Sequence, residues 1–371
     1  MKISFIREKM VSALSILLRV VSTQVTLPIL SNIKISCDDA RLKISATDLE
    51  LGTETIIGAK ISKKGSISIP AKLFFEFLSS INEEKIDLEV KDNKAIIKGK
   101  KIHTIIKGLP SDDFPLIPQI KDKIIEFTIN AQEIKDAISN CVFACALDET
   151  RPVLTGILLK IEKNNFIFTA TDSYRLCETK YTHKQKIKQS TQVIIPRRTM
   201  VELSRIIGEK DENIKIEIGE NQIAFFIGDI YFISRLIEGS FPEYNQIIPK
   251  KFKTTIVLDN NEFANNLKTA SLFSKDSANN IKIDASIKEK NIVIKSHSQQ
   301  LGENKSKLDA ISIDGSDISF SVNASYLQET LNVFESDKVS IGTIDKESPI
   351  LITSKEKLNY FCIIMPLRQE D

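Results

Sequence analysis

Two stretches of this chain follow the same pattern. Thr26 to Thr55 reads TLPILSNIKISCDDARLKISATDLELGTET, and Thr150 to Thr179 reads TRPVLTGILLKIEKNNFIFTATDSYRLCET. In each, a proline (Pro28, Pro152) precedes an apolar pair, and an Ala-Thr-Asp ending in Asp48 or Asp172 follows 20 residues later. The likeness continues: ISIPAKLFFEFLSSI is echoed by VIIPRRTMVELSRII, and Phe114-Pro115 by Phe241-Pro242, at offsets of 124, 126 and 127 residues. A third, more worn copy follows. NNIKIDASIKEKNIVIKSHS keeps the strand pattern, and FSVNASYLQETLNVF keeps the helix entry with Asn323 where Pro70 and Pro196 stand. Leu109-Pro110 is answered by Met365-Pro366. The chain is therefore about three units of one design. The period is far longer than that of solenoid repeats, so each unit is large enough for its own core.

Within a unit the order reads strand, helix, sheet, helix, sheet. Asn130 with Glu133, and Asp259 with Glu262, carry the spacing of a capping box at the first helix of units two and three. Unit one has no such cap, and Ile6, Met10, Ala13, Leu17 and Val20 give its first helix an apolar face. Pro70, Pro196 or Asn323 opens the second helix, where a missing N–H costs nothing. Leu73, Phe74, Phe77, Leu78 and Ile81 give that helix a broad apolar face. Short period-two stretches between the helices suit half-buried antiparallel strands. The fold class is α+β, two helices per unit on antiparallel sheets, with boundaries at 1–122, 123–250 and 251–371.

Composition limits the chemistry. The 371 residues carry 51 Lys+Arg against 49 Asp+Glu, so any nucleic-acid contact needs a local positive face rather than bulk charge. Five scattered cysteines (Cys37, Cys141, Cys145, Cys177, Cys362) read as free thiols of a reducing compartment, and Cys141 with Cys145 as packing thiols rather than a metal edge. The N-terminus lacks a signal-peptide pattern, and no apolar run has the length of a membrane span, so a cytoplasmic, non-membrane protein is expected.

No catalytic constellation emerges. Asp48 and Asp172 recur without a recurring acid, base or metal partner, and read as turn residues that bond the backbone. His103, His183 and His297 have no metal spacing. No phosphate-cradling glycine loop or nucleophile elbow occurs. Neither enzyme activity, metal nor cofactor is expected. Basic residues on or beside the helices, among them Lys72, Arg197 and Arg198, recur in equivalent units and together make a weakly positive, sequence-indifferent phosphate surface. The C-terminal CIIMPLR reads as a core strand running into Met365, Pro366 and Leu367, which can wall a groove for a partner peptide.

Taken in order and spacing, these motifs resemble the bacterial sliding clamp family, the beta subunit of DNA polymerase III. The resemblance spans the whole chain: three α+β units, LPIL near residue 30, Asp48 and Asp172, Phe241-Pro242 and the terminal Met-Pro-x-Arg. It implies three clamp domains, and two copies joined head to tail in a closed ring around duplex DNA. It implies a processivity factor without catalysis of its own, tethering the replicative polymerase, with a clamp loader and other clients docking through short hydrophobic peptides. Carried over by position, the peptide groove comprises Leu154, Thr171, Ser173, Tyr174, Arg175, Leu176, Pro242 and Ile247, with Asn323, Tyr326, Ile364, Met365, Pro366, Leu367 and Arg368. Leu154, Leu176, Pro242 and Ile247 would form apolar pockets, while Arg175 and Asn323 would fix a peptide backbone. Gln24, Lys72, Arg197 and Arg198 would face DNA, and Leu272 and Phe273 the second subunit. Ser173-Tyr174 stands where Gly-His is common in the family, Gln246 and Gln24 where arginines are common. The rival reading is a three-domain peptide-docking scaffold that forms no ring.

Overall fold

A computed structural model describes residues 1–21, 27–38, 41–187, 189–209, 212–334 and 337–368. The first repeat runs β1 (Lys2–Ile6), α1 (Arg7–Leu17), β2 (Asn32–Cys37), β3 (Leu42–Thr47), β4 (Leu51–Ile57), β5 (Ala59–Lys63), β6 (Gly65–Pro70), α2 (Ala71–Ser80), β7 (Lys85–Lys91), β8 (Lys94–Lys98) and β9 (His103–Lys107). The second runs β10 (Ile125–Asn130), α3 (Ala131–Cys141), β11 (Gly156–Ile161), β12 (Asn165–Thr171), β13 (Arg175–Thr182), β14 (Thr191–Pro196), α4 (Arg197–Ile206), β15 (Asn213–Ile218), β16 (Gln222–Ile227) and β17 (Ile230–Arg235). The third runs β18 (Thr254–Asp259), α5 (Asn260–Ser271), β19 (Asn280–Ser286), β20 (Asn291–Ser298), β21 (Gly302–Asp309), β22 (Ser312–Asp314), β23 (Ile318–Asn323), α6 (Ala324–Leu331), β24 (Lys338–Thr343), β25 (Ile350–Thr353) and β26 (Tyr360–Ile364). The triplicated strand–helix plan and the α+β class stand as read from the sequence.

The sheets ignore the repeat boundaries. Two compact units form, Met1–Lys135 with Arg198–Leu236, and Asp136–Arg197 with Ile237–Asp371. The second repeat is therefore shared. In the first unit, an eight-stranded sheet (β10-β15-β16-β17-β4-β3-β2-β6) joins half of the second repeat to the first through β17 against β4. A five-stranded sheet (β5-β1-β7-β8-β9) ends at β9. In the second unit, a nine-stranded sheet (β14-β11-β12-β13-β26-β25-β24-β18-β22) joins the other half to the third repeat through β13 against β26. A four-stranded sheet (β21-β20-β19-β23) ends at β21. The strands at both junctions are short and mostly buried. Pairing them across the boundary satisfies backbone groups that would otherwise be orphaned.

Helix starts follow their caps. Asp259 accepts from Glu262 N–H at 2.8 Å, Asn130 from Gln132 N–H at 2.9 Å, and Asn323 from Ser325 N–H at 2.9 Å. α1 has no side-chain cap, as its sequence indicates. It buries Met10, Ala13, Leu14 and Leu17, and Val20 just beyond it is also buried. Ile6 departs from the expected apolar face, because it closes β1 and is exposed. α2 buries Phe74 and Leu78, whereas Leu73, read as core, is 51% exposed. A ten-residue helix on a sheet buries a narrower stripe than five apolar residues cover.

The cysteine reading needs one correction. Cys177 and Cys362 are joined as a disulfide across the β13–β26 pair, with Cα atoms 4.2 Å apart and 185 residues between them in sequence. Strand register, not sequence spacing, brings them together. Cys37, Cys141 and Cys145 are free and buried. Burial raises the Cys141 thiol well above its ordinary range and pushes Cys145 up to about 12, as suits packing thiols.

Candidate functional site

The residues expected to form a groove all fall in the second unit, and the β13–β26 pair organises them. Leu176 sits opposite Ile363. With Leu154, Leu158, Ile194, Phe241 and Tyr244 these two make one buried cluster. Burying a leucine of this kind contributes about 1.5–3 kcal/mol. Phe241 arrives on the connection after β17, and Pro242 and Ile247 on the same connection remain exposed beside the cluster. From the third repeat, Ile364 is buried at the end of β26, and Met365, Pro366 and Leu367 run on half-buried, with Arg368 exposed. Two backbone bonds fix this run: Met365 N–H donates to Tyr174 O, and Leu367 N–H to Ser321 O, both at 2.8 Å. Tyr174, 57% exposed, stacks on Tyr326 with ring centres 6.4 Å apart. Leu154 and Leu176 are thus buried in one cluster, while Tyr174, Pro242 and Ile247 are exposed.

The Asp172 turn holds one wall. Its Oδ1 accepts from the N–H groups of Tyr174 and Arg175, each at 2.9 Å. Asp48 does the same in the first repeat, accepting from Glu50 at 3.0 Å and Leu51 at 2.7 Å. Both aspartates are thus turn residues, as expected. The turn forces a positive φ on the following residue, 79° at Ser173 and 80° at Leu49. Glycine adopts that conformation without strain. Ser173 uses its hydroxyl there to accept from Arg151 Nη1 at 2.8 Å. Thr171 Oγ1 ties the turn down by donating to Arg175 O at 2.6 Å.

Arg175 and Asn323 both bond other parts of the chain. Arg175 is 8% exposed. Its Nε donates to Asp172 Oδ2 at 3.0 Å, its Nη2 to Phe143 O at 2.6 Å, and its Nη1 to Glu329. The guanidinium lies 4.4 Å from the Tyr326 ring centre. Asn323 spends its carbonyl oxygen on the α6 cap and its amide on Ala278 O at 3.2 Å. Both polar groups help to hold β13 and α6 in place. Sequence reasoning also missed Tyr244 and Glu178. Tyr244 OH donates to Glu178 Oε2 at 2.6 Å and lies 3.0 Å from Thr169 Oγ1. Burial raises the Glu178 carboxyl, while those hydrogen bonds pull it down. Burial is also the main cause that raises the Tyr244 phenol. The available signal was Tyr244 following Phe241-Pro242 by two residues.

The expected DNA-facing residues are partly engaged. Lys72 is exposed on α2 beside Glu76 at 3.8 Å, and Arg197 is exposed. Arg198 pairs with Asp48, so much of its charge is locally offset. Gln24 lies outside the described residues. Leu272 and Phe273 follow α5, with Leu272 54% exposed and Phe273 half-buried. Among the described residues no group of three or more metal-ligating side chains occurs, and no helix is long and apolar enough to cross a membrane.

Comparison with known proteins gives the same reading along the whole chain. Family models of the DNA polymerase III beta subunit match in order: the N-terminal domain at residues 1–118, the central domain at 128–243 and the C-terminal domain at 245–368. The beta sliding clamp of Staphylococcus aureus is 29% identical over 378 residues, covering 99% of both chains. The DNA polymerase sliding clamp of Bacillus subtilis superposes with a TM-score of 0.95 at 30% identity, covering 100% of this chain and 99% of that one. The DNA polymerase III beta chain of Streptococcus pneumoniae gives 0.94 at 27% identity, covering 99% and 100%. The chain belongs to the bacterial sliding clamp family, the beta subunit of DNA polymerase III, and is a processivity factor rather than a catalyst.

Proposed function

We propose that two copies of the chain close head to tail into a ring that encircles duplex DNA in the cytoplasm, and that clients dock in the groove of the second unit. The observation that carries the ring is the state of the sheet edges. At the two internal junctions, β17 pairs with β4 and β26 with β13. By repeat position, β9 corresponds to β17 and β26, while β21 corresponds to β4 and β13. These are the strands at which the five- and four-stranded sheets end. A contact between unlike edges, repeated between two copies and closing on itself, satisfies both. With the internal registers extended to this contact, Thr104 would lie opposite Asn304 of the second copy, antiparallel.

Exposed apolar residues support the same faces. Leu272 occupies the repeat position of Arg19, which reaches Glu202 on α4 at the first junction. Its counterpart surface on a second copy is α2, where Leu73 is exposed, and Ile105 on the edge strand β9 is 52% exposed. Such apolar side chains gain by mutual burial. Lys72 and Arg197 would make screened, sequence-indifferent phosphate contacts, consistent with topological rather than affinity-based tethering. In the groove, a floor of Leu154 and Leu176 takes a short hydrophobic segment of the polymerase, the loader or another client. Arg175 and Asn323 act as positioning residues, and Met365 and Leu367 as the rim.

Native mass spectrometry and retention on closed circular DNA test the ring. The expected species has twice the chain mass, stays on circular DNA and slides off when the circle is cut. Leu272→Asp should yield monomers that are not retained. A monomeric wild-type protein, or one that stays bound after linearisation, overturns the ring. Met365→Ala with Leu367→Ala should weaken a client-type hydrophobic peptide about tenfold or more while the mass stays doubled. Unchanged peptide affinity removes the groove.

A further inference from the structure

The three repeats place a three-strand row of side chains at one equivalent position, and the third row differs in charge. In the first repeat the row is Lys34, Ser45 and Glu54, in the second Leu158, Thr169 and Glu178. In the third it is Lys282, Lys295 and Lys305, directly opposite one another on β19, β20 and β21. Like charges facing each other on adjacent strands are unfavourable. Only the middle lysine has a carboxylate partner among the described residues, Asp284 at 2.7 Å. The carboxylates of Glu54 and Glu178 are replaced here by the ammonium of Lys305.

Connections of the chain itself run beside the first two rows. Phe114, Pro115, Leu116, Ile117 and Gln119 wall one cavity together with Lys34, Ser45 and Glu54. Tyr244 bonds both Thr169 and Glu178 of the second row. In each case it is the extended connection that follows the last strand of a repeat. Over the third row lies an open cavity of about 580 Å³, walled only by residues of β19, β20, β21 and β23 and the turn at Ser277. Its walls carry three ammonium groups against the single carboxylate of Glu303. Asn280 also lines it, and the Asn280 Oδ1 is buried without a hydrogen-bond partner.

We propose that this third face binds an extended acidic peptide segment of a partner protein, in the place that the chain's own connections occupy beside the other two rows. Charge selects the acidic side chains: Lys282 and Lys305 make no close ion pair among the described residues and feel Asp284 and Glu289 only at longer range, and neutralising the row removes its repulsion. The unpartnered Asn280 oxygen selects a peptide over a bare oxyanion. It is an acceptor, and a peptide brings an N–H donor at every residue, whereas an oxyanion offers chiefly acceptors. The face lies within one repeat, so the proposal does not require the ring.

Fluorescence anisotropy of labelled hexaglutamate on the full chain tests this. Hexaglutamate should bind at low salt and weaken steeply as salt rises. Lys282→Gln with Lys305→Gln should weaken it by at least about tenfold. Lys305→Glu, which restores the residue type of the other two rows, should abolish it. Thermal melting should stay level or rise in these variants, because repulsion has been relieved. Asn280→Leu should weaken the peptide without altering competition by inorganic phosphate. Unchanged hexaglutamate affinity in the double variant overturns the proposal. So does displacement by inorganic phosphate at equal concentration, which would mark a simple anion site. Doubled native mass and DNA retention should persist in Lys282→Gln and Asn280→Leu, whose strand β19 is not the proposed ring edge, which separates failure here from failure of the clamp reading.

Discussion

At the first junction between repeats, Gly52 on β4 faces Ile233 on β17; at the second, Leu176 on β13 faces Ile363 on β26. The backbone plan is the same, and the Asp48 and Asp172 turns even share the positive φ that follows them. The side chains diverge. A Cβ on Gly52 would lie 2.9 Å from Ile117 Cγ2 and 3.0 Å from Ile233, so the connection has collapsed onto the strand and left no room. At the second junction, Leu154 and Leu176 are buried in one cluster, and Pro242 and Ile247 stay exposed. The charges moved as well. The cation that meets the glutamate of the next helix is Arg19 at the first junction, 3.7 Å from Glu202 and partly exposed. At the second it is the buried Arg175, meeting Glu329. Duplication preserved the frame, and local substitution closed one face while opening the other.

The largest expected effects come from reversing the packing difference. Leu176→Ala should lower stability by about 2–5 kcal/mol, because it leaves a cavity in a full cluster. Gly52→Ala should cost about 1–3 kcal/mol for the opposite reason, since Ile117 and Ile233 must give way. Urea unfolding with matched m-values measures both. If Gly52→Ala were neutral, the first junction would have the slack that its packing denies.

A smaller contrast concerns charge. Arg175→Met should destabilise by roughly 2 kcal/mol, short of a fully buried pair because Glu329 is half exposed. Arg19→Met should cost under about 1 kcal/mol, as expected of an exposed pair. Equal losses would mean that the two cations do the same job.

The smallest effect is a pH dependence confined to the second junction. Burial raises Glu178 above its unfolded value. Its folded form therefore contributes stability at acid pH that is lost as pH rises through the folded pKa. Glu178→Gln should match the wild type near pH 4 and melt slightly higher at pH 7, keeping an acceptor for the Tyr244 hydroxyl. A lower melting temperature at pH 7 would show instead that the ionised carboxylate is worth more than its burial costs. Glu54 at the first junction pairs with Lys43 at 3.0 Å, so a matching Glu54→Gln variant serves as the control without that rise.

Much of this was legible in the chain. Repeated spacing gave the three-fold plan, the caps at Asn130 and Asp259, and the turn role of Asp48 and Asp172, because each depends on contacts only a few residues long. The groove positions could be named through the resemblance, but not what their side chains do there. Arg175 and Asn323 read as ligand-binding groups, but Arg175 also bonds Phe143 and Glu329, far from it in sequence, and Asn323 its helix and Ala278. The Cys177–Cys362 link, the buried Tyr244–Glu178 pair and the collapse of Ile117 onto Gly52 were likewise out of reach. Sequence periodicity fixes which face of an element is apolar. It carries no information on which distant strand will supply the opposing residue. The sequence by itself determined the repeated α+β frame and its local turns. Only the tertiary structure decided that one junction is closed, the next is open, and the third sheet keeps a bare row of lysines, because those outcomes depend on register across strands and on which connection lies beside them.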